Sequence, residues 1–148
     1  MENELTLIDE NINPYYFTRK LTERLGKGDI LVSANATPSI CIFQTGKVNG
    51  ERIIMNSGDA SMGYALPTSI GARVQTMGKG NVVCFEGDGS IMMNLQELQT
   101  IKHNGLNIKI FILKNNGYVS IQQTQKNFFA GEMTGSGASS GVSTPDFT

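Results

Sequence analysis

Two apolar runs constrain this chain more than any other feature. They are Asn81-Val-Val-Cys-Phe85 and Ile108-Lys-Ile-Phe-Ile-Leu113, and one helix-length segment separates them. Runs of this kind read as strands buried on both faces, the mark of a parallel sheet. A parallel pair needs a crossover, and residues 94–104 supply one. Leu95, Leu98 and Ile101 form its apolar stripe, and Asn104-Gly105 ends it. Strand, helix and strand at this spacing imply right-handed crossovers in a doubly wound, mostly parallel α/β sheet with helices on both faces.

The rest of the chain fits that plan. Residues 1–12 read as a polar lead-in. Asn13-Pro14 gives an N-cap and a first helical position, and Phe17, Leu21 and Leu25 predict a helix over about 14–25. Asp29 to Ser33 reads as a short buried strand. Ala34 to Pro38 is a small-residue loop, open to close approach by a ligand. Ile40 to Phe43 is ambiguous between helix and strand. Lys47 to Glu51 is a turn, and Arg52 to Met55 a second short strand. Small residues from Asn56 onward lead into a helix that runs to about Met77. Gly117 to Phe129 reads as a further helix, and the Gly/Ser-rich stretch 131–141 as a mobile loop. Ser143-Thr-Pro-Asp-Phe147 carries a helix-start signature just before Thr148, so the chain reads as one domain of a longer, C-terminally truncated protein.

Composition narrows the function. The 148 residues carry 12 basic and 13 acidic side chains, a net charge of −1. That balance gives no electrostatic case for nucleic acid or an anionic membrane surface. The N-terminus lacks the basic and apolar regions of a secretory signal, and no apolar run approaches the roughly 20 residues that span a bilayer. Cys41 and Cys84 form no CxxC pair; they read as reduced core thiols, in keeping with a cytoplasmic setting. Seventeen glycines predict many tight turns or close backbone approaches.

The chemistry gathers where the two apolar runs end. Ligands of doubly wound sheets sit beyond the carboxyl ends of the strands. Asp88, on a Gly87-Asp88-Gly89 turn, follows the first run, and Asn115 follows the second. Alone, Asp88 reads as a helix cap or a cation ligand, and Asn115-Asn116-Gly117 as an ordinary turn. Together, two side-chain oxygens and a backbone carbonyl make half a Mg²⁺ shell, which phosphates and water commonly complete. Gly87 and Gly89 let the backbone approach an anion, and the helix after Ser90 offers N–H groups to a phosphate. Glu86 borders this place and reads equally as a strand-end residue. Glu97 reads as a helix-face residue and His103 as a cation at a helix C-terminus. Met92 and Met93 face either core or pocket. A dinucleotide fingerprint needs a third glycine at Met92, and no Gly-Lys-Ser/Thr P-loop is present.

Gly87-Asp88-Gly89-Ser90 followed by Asn115-Asn116, with Asn115 placed 27 positions after Asp88, resembles the motif of thiamine diphosphate enzymes in their diphosphate-binding (PP) domain. Met62 to Ala72, M-G-Y-A-L-P-T-S-I-G-A, resembles a segment of the acetolactate synthase and pyruvate decarboxylase group. The resemblance implies thiamine diphosphate and Mg²⁺ as cofactors. Asp88, Asn115 and the Gly117 carbonyl would hold the metal. Gly87, Gly89, Ser90 and Tyr118 would border the diphosphate, with Ala36 and Thr37 on its other side. Met62 would lie under the thiamine, and Ala60 and Met62 would hydrogen-bond the aminopyrimidine through their backbones. The chain departs from the group's G-Q-H-Q pattern, having Asn35-Ala-Thr-Pro38 there.

The resemblance further implies a pyrimidine-binding (PYR) domain, of the same or another chain, that supplies a catalytic Glu. The isolated chain would then be inactive, with its catalytic groups elsewhere, and the whole protein a homo-oligomer. An acetolactate synthase-like enzyme acting on pyruvate or another 2-oxo acid is the leading reading. A separate decarboxylase subunit of the sulfopyruvate or phosphonopyruvate type is an alternative, as is a non-catalytic phosphate- or nucleotide-binding module.

Overall fold

A computed structural model describes residues 11–147; the lead-in and signal-peptide readings fall largely on residues 1–10, outside that range. The apolar runs form strands. β1 (Ile30–Ser33), β2 (Arg52–Met55), β3 (Val82–Gly87) and β4 (Lys109–Leu113) make one parallel sheet in the order β2-β1-β3-β4. Ile30 aligns with both Arg52 and Val82, and Val83 aligns with Lys109. The chain therefore winds outward in one direction from β1 and in the other from β3. Their carboxyl ends form the switch point at which such sheets open a crevice.

Strand parity sends alternate side chains to opposite faces and builds two cores. Ile30, Val32, Val82 and Cys84 face α3 (Ala65–Gln75) and α5 (Glu97–His103), together with Leu66, Ala72, Leu98 and Ile101. Leu31, Val83 and Phe85 face α1 (Pro14–Thr22) and α2 (Thr37–Thr45), with Ile42, Phe17 and Leu21. Phe17 anchors α1: its ring lies 5.7 Å from Phe85 and 5.3 Å from Phe111, edge-on to the latter. Helix on sheet on helix is the doubly wound architecture expected. Among the described residues no helix is long and apolar enough to cross a membrane.

Two local expectations are corrected and one ambiguity is settled. The first helix ends at Thr22, because the chain turns at Glu23 and seats Leu25 in the core from outside the helix. The ambiguous stretch 40–43 is helical, inside α2, whose first turn contains Pro38. The helix expected over 94–104 is interrupted. The chain coils at once into α4 (Asp88–Ile91) and a 3₁₀ turn (Met92–Asn94) before α5.

The tail is tied to the preceding helix by hydrogen bonds and carries no helix over 143–147. Gln122 Nε2 donates to the Ser136 carbonyl (2.6 Å) and Gln125 Nε2 to that of Thr134 (2.8 Å), from α6 (Val119–Phe128). Tyr118 N donates to Ser136 O (2.9 Å), and Ser136 is fully buried. Residues 143–147 then run without helix back to the strand ends, where Lys114 Nζ meets Asp146 Oδ1 at 2.5 Å.

The two-sided core makes a stability prediction. Leu31 is fully buried on the central strand, so Leu31→Ala should cost about 2–5 kcal/mol in urea unfolding. Val74→Ala, on the exposed side of α3, should stay within about 0.5 kcal/mol.

Candidate functional site

Asp88 is 1% exposed, so its carboxylate needs partners. Its Oδ1 accepts the N–H of Gly89 at 2.8 Å. Its Oδ2 accepts the N–H groups of Asn115 (3.0 Å) and Asn116 (2.6 Å) and the Thr144 hydroxyl (3.3 Å). One side chain thus ties the end of β3 to the end of β4 and to the tail. The turn it fastens is tight: Asn116 has φ 65° and Gly117 φ 144°.

The side-chain amide of Asn115 points inward at two oxygens, lying 3.1 Å from Asp88 Oδ1 and 2.8 Å from the Gly117 carbonyl. With nitrogen on that side the amide donates to both. With oxygen there, three oxygens converge, and a cation must hold them. The spacing suits a small hard ion: adjacent ligands of octahedral Mg²⁺, each roughly 2.0–2.1 Å from the metal, stand about 2.9 Å apart. The donor set of one carboxylate, one amide oxygen and one carbonyl leaves room for three outside ligands. Among the described residues no three His, Cys, Asp or Glu side chains cluster as a self-sufficient metal site.

The oxygens face a cleft of about 100 Å³. Asp88 is the only charged side chain among the described residues that line it. A phosphate therefore finds no lysine or arginine there. It finds the starts of three helices, α2 (Ala36, Thr37), α4 (Asp88 to Ser90) and α6 (Val119 to Ile121), none capped by a side chain. Uncapped helix starts present orphan N–H groups that suit an anion. Ala36 sits at φ 55°, ψ −128°, a costly conformation for a residue with a side chain. Gly89 has no alternative, since a Cβ there would lie 2.5 Å from the Tyr118 ring. The volume falls below the roughly 300–1,000 Å³ of a pocket that encloses a small organic molecule, so this cleft takes one end of a ligand.

The structure gathers nearly all the residues singled out in the sequence. Ala36, Thr37, Met62, Gly87, Asp88, Gly89, Ser90, Asn115, Gly117 and Tyr118 all line the cleft. Ala60 does not: it is exposed, at φ 51°, and its N–H closes a turn on Asn56 O (3.1 Å). The Ser90 hydroxyl is engaged inside the protein, accepting the Gly63 N–H at 2.8 Å. Cys41 and Cys84 are buried thiols, pushed by burial up to about 11 and about 12, and play no nucleophilic part. His103 is exposed at the end of α5.

Thr144 on Asp88 and the α6 start in the cleft wall were not read from sequence; the border residue Glu86 was, though not as a buried carboxyl. Its burial had a signal, because Glu86 shares the parity of Val82 and Cys84 and so had to face α3. It is fully buried, and its Oε1 accepts the Leu66 N–H (3.2 Å) at the start of α3. Loss of solvent pushes its carboxyl up to about 7, against donors from Ser90, Gly87, Leu66 and Ala65 that favour the charged form.

The sequence profile described as "Thiamine pyrophosphate enzyme, C-terminal TPP binding domain" matches residues 39–148. The chain is similar to the acetolactate synthase isozyme 2 large subunit of Escherichia coli (strain K12), 44% identical over 79 residues, covering 53% of this chain and 14% of that protein. It is similar also to the acetolactate synthase large subunit of Cyanidium caldarium, 39% identical over 101 residues, covering 68% of this chain and 17% of the relative. To that of Porphyra purpurea it is 34% identical over 122 residues, covering 74% and 20%. The chain thus spans a fifth or less of the length of these relatives.

The buried carboxyl gives the site a pH signature. Below the ordinary glutamate value of 4.5 both folded and unfolded chains carry the proton; between 4.5 and about 7 only the folded chain does. Glu86 therefore stabilises the fold fully below 4.5, and that contribution is lost as pH rises through about 7, up to about 3 kcal/mol in all. Urea unfolding from pH 5 to 8 should show this slope, and Glu86→Gln should flatten it.

Proposed function

Because this chain belongs to the thiamine pyrophosphate enzymes, through their C-terminal TPP-binding domain, we propose that it binds thiamine diphosphate with Mg²⁺ as the diphosphate-binding half of an acetolactate synthase-like enzyme. The substrate of the whole protein is pyruvate or another 2-oxo acid. One observation carries the metal and diphosphate part. The inward face of Asp88, Asn115 and Gly117 is spaced for a hard cation, in a cleft whose only charged side chain is negative. An anion seated there needs a cation beside it.

Each residue then has a task. Asp88 Oδ1, the Asn115 amide oxygen and the Gly117 carbonyl hold Mg²⁺, while Asp88 Oδ2 stays on its backbone donors and keeps the carboxylate aimed. The starts of α2, α4 and α6 receive the phosphates, and the Thr37 hydroxyl faces them from the far wall. Met62, half-buried at the cleft mouth, supports the organic part of the cofactor. Bound thiamine diphosphate supplies the carbanion-stabilising chemistry by which 2-oxo acids lose CO₂. The protein's contribution is to bind, to orient and to exclude water. A cleft of about 100 Å³ covers only the diphosphate end. The aminopyrimidine and its catalytic Glu belong to a PYR domain, in a homo-oligomer that places the two halves together.

Calorimetric titration with thiamine diphosphate is the test. Binding should require Mg²⁺, vanish with EDTA, and weaken more than about 100-fold in Asp88→Ala. Asn115→Ala separates metal loss from misfolding: the residue is exposed, and the structural bond runs through its backbone N–H, so it should fold normally and still lose Mg²⁺-dependent binding. Binding of ATP or NAD in place of thiamine diphosphate would overturn the reading.

A further inference from the structure

The buried Glu86 carboxylate has no part in holding metal or phosphate, yet it is hydrogen-bonded on both oxygens beside the cleft. α3 begins at Ala65 without a side-chain cap of its own. Glu86 provides one from the neighbouring strand, accepting the N–H groups of Leu66 (3.2 Å) and Ala65. Its other oxygen accepts the Gly87 N–H at 3.3 Å, and the Ser90 hydroxyl donates to the same carboxylate. Ser90 Oγ accepts in turn from Gly63 N at 2.8 Å, and Asn94 Nδ2 donates to Gly63 O at 2.7 Å. Gly63 is packed closely against this segment: at φ 75°, a Cβ there would stand 2.6 Å from Met93 Cβ and 2.7 Å from Asn94 Nδ2.

These contacts fix the chain immediately after one residue of the cleft. Met62 lies on a segment whose next residue, Gly63, is held at both backbone polar groups, and whose following helix is held at its first turn. Every anchor lies within residues 86–94, the segment that also carries Asp88. The height of Met62 above the cleft floor is therefore set from the turn that carries the metal-facing carboxylate.

We propose that Glu86, acting with Ser90 and Asn94, is a positioning residue that fixes Met62 for the organic half of the cofactor. Glu86 does not touch the diphosphate, and its loss separates the two halves of cofactor recognition. This rests on the functional reading above. The diphosphate and its Mg²⁺ see only the 87–90 turn, the Asn115–Gly117 turn and the helix starts. The thiamine end sees Met62.

The test compares two probes on the full chain: thiamine diphosphate with Mg²⁺, and inorganic diphosphate with Mg²⁺. Glu86→Ala should weaken thiamine diphosphate at least about tenfold while inorganic diphosphate stays within about twofold. Amide hydrogen exchange should quicken at Gly63 and Leu66 and remain slow at Val83. Glu86→Gln, which retains an acceptor for the Leu66 N–H, should restore most of the affinity. Should Glu86→Ala fold poorly, Asn94→Ala, which breaks the clamp from its half-exposed side, should show the same split. Equal weakening of both probes, or unchanged exchange at Gly63 in both variants, would overturn the clamp. Failure of the unmodified chain to bind either probe would instead overturn the functional reading.

Discussion

A carboxylate withdrawn from water must be repaid in hydrogen bonds, and at Asp88 this requirement shapes the region around it. Its backbone donors are the N–H groups of Gly89, Asn115 and Asn116, which lie just beyond the ends of two strands. Because those donors occupy fixed positions on adjacent parallel strands, the carboxylate has a defined orientation before any ligand arrives. The same bonds bend the chain after β4, and that bend carries the Gly117 carbonyl and the α6 start to the cleft. Architecture and metal geometry are therefore one constraint: a change in β3–β4 register would remove both.

Much of this was legible in the amino-acid sequence, for identifiable reasons. The apolar runs at 81–85 and 108–113 have no amphipathic alternation, so a doubly covered parallel sheet was the only economical home for them. From there Asp88 and Asn115 had to share one crevice, and the rule about strand ends did the rest. Reading failed where the deciding contact is distant in sequence. Nothing between 131 and 147 announces that Gln122 and Gln125 hold it, or that Thr144 reaches back to Asp88. Helix 94–104 broke because the chain had to coil directly after Gly87 to bring Gly89 beneath the Tyr118 ring.

Glu86 shows a subtler kind of illegibility. A charged residue at the end of a strand usually marks where the strand meets solvent, and that is the ordinary reading. Here parity turns it inward, where the uncapped start of α3 provides a concentration of N–H groups. The helix start makes burial of the carboxyl tolerable, and the carboxyl in turn terminates the helix. Each solves the other's desolvation problem, and neither would be sensible alone.

The absence of any lysine or arginine from the cleft lining has a consequence for loading. A site rich in cations captures an anionic ligand by itself and draws it in through long-range attraction. This one does neither, since its fixed charge is a single carboxylate. Metal and diphosphate are then linked ligands, each raising the affinity for the other by the same factor. On the proposed function, cofactor occupancy would follow the product of two concentrations, so a fall in free Mg²⁺ would have to be met by a matching rise in thiamine diphosphate to keep the domain filled.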